Sequence, residues 1–286
     1  MYSNVFFTDA THRYFDDSDN SYQSVSAMIG GKHEPFDESM NIYCAIKELF
    51  PNKLTNAKKK YEWNDPKLVP YIMDELTVDE VNKVIKKSSE FTNQWDEMAN
   101  FGTSIHDNFE QKDISRRYKI SPFDGEKYKV IARPFKEGKY DNKLVLPFAL
   151  DDHHCNIYIP ESVVAYHPSK KAGQIDKLWL YWTGSRHIAI VGDYKTDNKI
   201  SKYPMWKKED GKGRKKPMMF YKPLDYFPDS KYWYYTLKMS CYAYMLEYLG
   251  IPVHSMYLWH FYDKDNMSQY NHIPITYYRN HIKNLF

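Results

Sequence analysis

Cysteine is scarce. The chain has three in 286 residues, Cys44, Cys155 and Cys241, far apart and never in a CxxC pair. That spacing offers neither a zinc site nor a disulfide framework, and three thiols cannot hold a four-cysteine cluster. Reduced thiols and an intracellular, cytoplasmic location are the expectation. Long apolar runs are also missing. Nothing approaches the roughly 18 apolar residues of a membrane span, so no membrane partner is expected. The opening "MYSNVFFTDATHRYF" lacks the basic stretch followed by an apolar one that marks a secretory leader. An excess of one charge is absent as well: 40 Lys and Arg face 37 Asp and Glu, for a net charge of +3. Any affinity for a polyanion must therefore come from where the charges sit.

What the chain does have is rings. It carries 27 tyrosines, 15 phenylalanines and 7 tryptophans, within a hydrophobic fraction of 42% that supports a sizeable core. Most rings suit a core, and exposed ones can stack on nucleic-acid bases. Residues 4–30 read as short strands around the polar turn "DDSDNS". Residues 36–100 read as helix-rich, with Thr77 and Glu80 spaced as a capping box ahead of Val81, Val84 and Ile85 at helical spacing. From 144 onward "SVVAYH", "QIDKLWLYW" and "HIAIVGDYK" read as strands joined by tight links, an antiparallel meander. In "SKYWYYTLKMSCYAYMLEYLG" apolar residues recur every three or four positions until Gly250 and Pro252, a helix, and "VHSMYLWHFYD" reads as a final strand. The pattern predicts an α/β fold, a mixed central sheet flanked by helices with a helical N-terminal part. It reads as a single domain over 1–286, with residues 101–286 as its core.

The chemistry concentrates in "HIAIVGDYKTDN". Side chains two apart on a strand share a face, so Asp193 and Lys195 point one way and Tyr194 the other. Alone, such a pair is also an ordinary salt bridge on an exposed strand. It is not alone: Asp176, in "GQIDKLW", lies on the preceding strand, where a tight turn at Thr183–Arg186 can bring it close to Asp193. Adjacent carboxylates repel and resist burial. A divalent cation with oxygen ligands, Mg²⁺ or Mn²⁺, removes that cost and can activate water and polarise a phosphate, with a lysine to neutralise charge. Upstream, in "NFGTSIHDNFE", His106 and Glu110 share a helix face, with Gly102 and Thr103 as the expected helix start. His106 is then a candidate ligand and Glu110 its orienting partner. A satisfied surface pair is the alternative.

The order "GTSIH…E", "QID", "GDYKT" and a tyrosine-rich helix resembles the PD-(D/E)XK nuclease superfamily. Within it the chain resembles the RecB-like and Cas4-like exonucleases, including phage members, over roughly residues 95–250. The resemblance implies a restriction-endonuclease-like core. It also implies metal ligands at His106, Asp176, Asp193 and the Tyr194 carbonyl, a catalytic lysine at Lys195, and a further acidic position at Glu161. Two departures stand out. Ile175 replaces the proline, and the helix that usually reads Gln-x-x-x-Tyr reads Lys238-Met-Ser-Cys-Tyr242. Lysine cannot make an amide's two-way hydrogen bonds but can meet a phosphate or a carboxylate. Lys238 is therefore expected to hold DNA backbone, with Tyr242 beside it.

Residues 202–230 read as an extended basic loop with four prolines and two glycines. Lys202 to Lys222 holds eight Lys and Arg against two acids. Lys207, Lys208, Lys212, Arg214, Lys215 and Lys216 are candidate phosphate contacts, with Trp206, Phe220 and Tyr221 as stacking rings. The loop is expected to gate a groove leading to Asp176 and Asp193. A solvated loop is the alternative. The reading as a whole is a metal-dependent deoxyribonuclease acting at free DNA ends in replication, repair or recombination. A structure-specific endonuclease, an inactive DNA-binding protein and a protein–protein module remain alternatives.

Overall fold

The computed structural model describes residues 5–8, 11, 13–32, 39–62, 65–132, 146, 150, 153–197, 199–204, 206–208, 215–263 and 269–286. The elements run β1 (Val5–Thr8), β2 (Arg13–Asp16), β3 (Ser21–Ser24), α1 (Val25–Gly30), α2 (Ser39–Leu49), α3 (Pro51–Ala57), α4 (Leu68–Asp74) and α5 (Val78–Ile114). They continue with β4 (Tyr118–Ile120), β5 (Lys127–Val130), β6 (Ile157–Tyr166), β7 (Lys171–Trp182), β8 (His187–Lys195), β9 (Trp206–Lys208) and β10 (Lys215–Pro217). The last are α6 (Lys231–Tyr248), β11 (Val253–His260), β12 (Asn271–Ile275) and α7 (Arg279–Ile282). No helix among the described residues is long and apolar enough to cross a membrane.

The fold is α/β, with a mixed sheet flanked by helices. β6, β7 and β8 form the antiparallel meander expected from the sequence. β11 joins β8 in parallel, β12 closes antiparallel on β11, and β5 joins β6 in parallel. β6, β7 and β8 are buried along nearly their whole length, as strands covered on both faces should be. α6 is buried almost all round, because its tyrosines and small residues fill the positions a surface helix gives to charges. Leu237, Cys241, Met245 and Leu246 of α6 share one core with Ile175, Leu178, Val191 and Leu258 of the sheet.

The chain divides into two compact units. One comprises Met1–His33, Gly102–Tyr203 and Met219–Phe286; the other comprises Glu34–Phe101 and Pro204–Met218. The second has its own core, built from Ala45, Ile46, Leu54, Leu68, Ile72 and Val84.

Four sequence expectations are corrected. "VSAMI" is helix rather than strand: Ser24 caps α1 by accepting the Ala27 N–H at 3.0 Å, and Val25, Met28 and Ile29 then recur at helical spacing on its buried side. No helix starts at Gly102, because α5 runs through it from the Thr77–Glu80 capping box, where Glu80 accepts the Thr77 N–H at 2.9 Å. Gly102 serves a close approach instead; a Cβ there would lie 3.1 Å from the Thr196 hydroxyl. The 202–230 segment is not one extended loop, since β9 and β10 pair as an antiparallel hairpin within it. The strand at 253–260 is not the last, since β12 follows.

Candidate active site

The site forms where β7 changes partners. Lys171 and Ala172 pair with β3, and Lys177 to Trp182 pair with β8. Between those ladders β3 departs into α1, so Gly173 to Asp176 face a fork. Asp176 stands in its crotch, with Tyr194 N–H donating to Asp176 Oδ2 at 2.7 Å where a ladder carbonyl would otherwise accept. On the other edge of β7 the ladder is also broken. Pro160 pairs with Lys177 and Ser162 with Ile175, leaving Glu161 bulged opposite Asp176 at φ 49°. Left-handed backbone costs a non-glycine residue about 1–2 kcal/mol, a strain that proteins tend to hold at functional sites. The bulge aims the Glu161 carboxylate into the fork, where the Gln174 side-chain amide donates to it.

His106 reaches this pair from α5. Its Nδ1 lies 3.3 Å from Glu161 Oε1 and its Nε2 3.6 Å from Asp176 Oδ2. Its ring meets the Tyr194 ring edge-on at 5.4 Å, and Phe109, one helical turn on, stacks on Tyr194. Burial alone would lower the imidazole's pKa, but Asp176 and Glu161 outweigh it and hold the ring at about 9. Asp176 is pushed up by burial and by the charge of Asp193. Ligand atoms of His106, Glu161 and Asp176 lie within 4.8 Å of one another, the one such group among the described residues.

Asp193 is 1% exposed, and ammonium groups flank its carboxylate. Lys195 Nζ faces Oδ2, and Lys238 Nζ lies 3.2 Å from Oδ1. Burial would raise the Asp193 pKa, but the two lysines bring it below the ordinary carboxylate value. Lys195 also donates to the Tyr194 carbonyl at 2.6 Å. An exposed salt bridge is thus excluded for Asp193 and Lys195.

Every expected catalytic residue lies at or beside the fork, but several expected roles change. The two ring nitrogens of His106 face Glu161 and Asp176, so these carboxylates take the orienting role expected of Glu110. Asp193 stays outside the group of converging ligands. Lys238 is neither solvated nor free for DNA, since its side chain is 15% exposed and meets Asp193. Tyr242, one turn beyond it, is core: its ring fills the space a Cβ on Gly173 would need, at 2.4 Å. Phe220 cannot stack on a base, being 2% exposed within the main core, whereas Tyr221 is exposed. Lys216 is exposed, whereas Lys212, Arg214 and the side chains of Trp206, Lys207, Lys208 and Lys215 lie outside the described residues.

Two participants escaped the sequence reading. Gln174 was legible, since it lies two residues before Asp176 on the same strand face. Lys177 gave no signal: it is buried with its ammonium 4.4 Å over the Tyr194 ring and 4.6 Å over that of Trp259. Nothing in "IDKLW" distinguishes such a lysine from an exposed one. No family model, curated protein or solved structure matches the chain.

Proposed function

We propose that the chain is a metal-dependent deoxyribonuclease that hydrolyses phosphodiester bonds at free DNA ends. The observation that carries this reading is the fork itself. Two buried carboxylates and an imidazole converge there, beside a third carboxylate and a half-buried lysine on the neighbouring strand. This order of motifs resembles that of PD-(D/E)XK exonucleases. The donor set fits a hard divalent cation that tolerates one imidazole, Mg²⁺ or Mn²⁺. His106, Glu161 and Asp176 would hold it, and when bound it would supply Lewis acidity and an activated water.

The chain's own groups do the rest. Glu161 and Asp176 fix the imidazole from both sides. The Tyr194 N–H locks the Asp176 carboxylate in one orientation. Lys195 donates from Nζ to the Tyr194 carbonyl, a position from which it can orient a water and neutralise charge building on a phosphate. Asp193 holds that lysine in place. The basic residues 202–222 supply sequence-independent phosphate attraction.

The test is digestion of end-labelled linear single- and double-stranded DNA beside closed circles, with Mg²⁺, with Mn²⁺ and with chelator. Loss of linear DNA alone, dependent on metal and at least about 100-fold slower in Asp176→Asn and Lys195→Ala, is the expected result. Cutting of circles would make it an endonuclease. DNA binding with no cutting under any condition would make it a DNA-binding protein.

A further inference from the structure

The lysine at 238 sits where the resemblance leads one to expect glutamine, and its surroundings say what it does. It projects from α6 with most of its side chain buried and its ammonium 3.2 Å from Asp193 Oδ1. Lys195 covers the other oxygen of the same carboxylate. Tyr242 stands one turn away, its ring centroid 5.6 Å from Lys238 Nζ, and Tyr242 is itself fixed against Gly173. Lys238 thus has a largely buried side chain, Asp193 as its direct carboxylate partner with Asp176 also attracting it, and a wall of ring beside it.

Hydrolytic sites of this kind take one or two divalent ions, and a second ion needs a carboxylate of its own or one to bridge from. Glu161 and Asp176 converge on His106 and serve one position. Asp193 lies beside them on the neighbouring strand, and each of its oxygens already faces an ammonium. A second ion on Oδ1 would lie against Lys238 and compete with it for the same carboxylate oxygen. Nor can the ammonium leave cheaply, because its own charge, on a side chain 15% exposed, would lose its carboxylate partner.

We infer that Lys238 is a built-in cation that takes the place of a second divalent ion, so that the site holds one metal, on His106, Glu161 and Asp176. Glutamine carries no charge, and a site with glutamine there leaves Asp193 Oδ1 open to a second ion. Lys238 is a positioning residue in this arrangement, acting through Asp193. The inference rests on the metal-dependent reading above, and its test separates the two.

The experiment counts ions rather than products. Full-length protein stripped with chelator is titrated with Mn²⁺, following free Mn²⁺ by electron paramagnetic resonance and heat by calorimetry. Wild type is expected to bind one ion per chain. Lys238→Gln, and Lys238→Met to keep the volume of the stem, are expected to bind a second. Lys238→Arg, which keeps the charge, is expected to stay at one, and this holds the test open if the neutral variants do not fold. Two ions in wild type, or one ion in a folded Lys238→Gln or Lys238→Met, overturns the inference. Two ions in a wild-type chain that cuts DNA overturns it while leaving the nuclease reading intact. No bound Mn²⁺ in wild type overturns both.

Discussion

Glu161 is the residue that most clearly trades stability for position. Its left-handed φ of 49° suits glycine, and its carboxylate is buried against Asp176. Glu161→Gly should therefore leave the urea midpoint unchanged or raise stability by about 1 kcal/mol. The same substitution should weaken Mn²⁺ binding at least tenfold; a large loss of stability would show that the bulge is not strained. His106 and Lys177 give the metal-free protein a pH signature of opposed signs. The folded pKa of His106 is about 9 against an ordinary 6.5, so its stabilising contribution is complete below 6.5 and is lost as pH rises through 9. Lys177 is lowered to about 7 by burial and by Lys119, against the pull of Asp113, Asp176 and Glu161. Between pH 7 and 10.5 the unfolded chain holds a proton on that lysine that the folded chain lacks, so stability climbs with pH, by at most about 1.4 kcal/mol per unit. With chelator present, the two should offset each other between pH 7 and 9. Lys177→Met should expose a fall in stability over that range, and His106→Gln a rise, in urea melts taken at stepped pH. Identical profiles for both variants would refute the assignment.

At the scale of elements, β8 and α5 carry the positional information. Gly192 precedes Asp193 because Trp259 of β11 lies over it; a Cβ there would sit 2.1 Å from Trp259 Cζ3. Gly192→Ala should cost about 1–3 kcal/mol and displace Asp193 with it, which a thermal melt and the Mn²⁺ titration would read together. At the other end of α5, Thr77→Ala should cost about 1 kcal/mol by removing half of the capping box. A change in the helical signal without a change in Mn²⁺ affinity is expected, because the cap is remote along the helix from His106. Period and punctuation made these elements legible: the capping box, the alternation through "HIAIVGDYK", and the glycine and proline after α6. What was not legible was any event created by pairing. Glu161 becomes a bulge only because β6 and β7 slip past one another around it. Lys238 becomes a buried counter-ion only because α6 lies on the face of the sheet that Asp193 uses. Neither long-range contact leaves a local trace in composition or period.

At the scale of the whole molecule, the division into two compact units with separate cores predicts more than one unfolding step. Ile72→Ala, in the core of the second unit, should cost about 2–5 kcal/mol in one step of a calorimetric melt and leave the other in place. A single transition displaced as a whole would mean that the units unfold together. The fork has a further consequence for the history of the chain. On the proposed function Asp176 holds the metal ion, and within the sheet it is the hydrogen-bond acceptor on which the Tyr194 N–H depends. A lineage that gave up its chemistry could not discard this side chain freely, because alanine would orphan a buried donor in the central strand. Asparagine keeps an acceptor oxygen and loses the charge. Retired descendants of this protein should therefore be recognisable by asparagine at 176, a scar that records lost chemistry in an intact sheet.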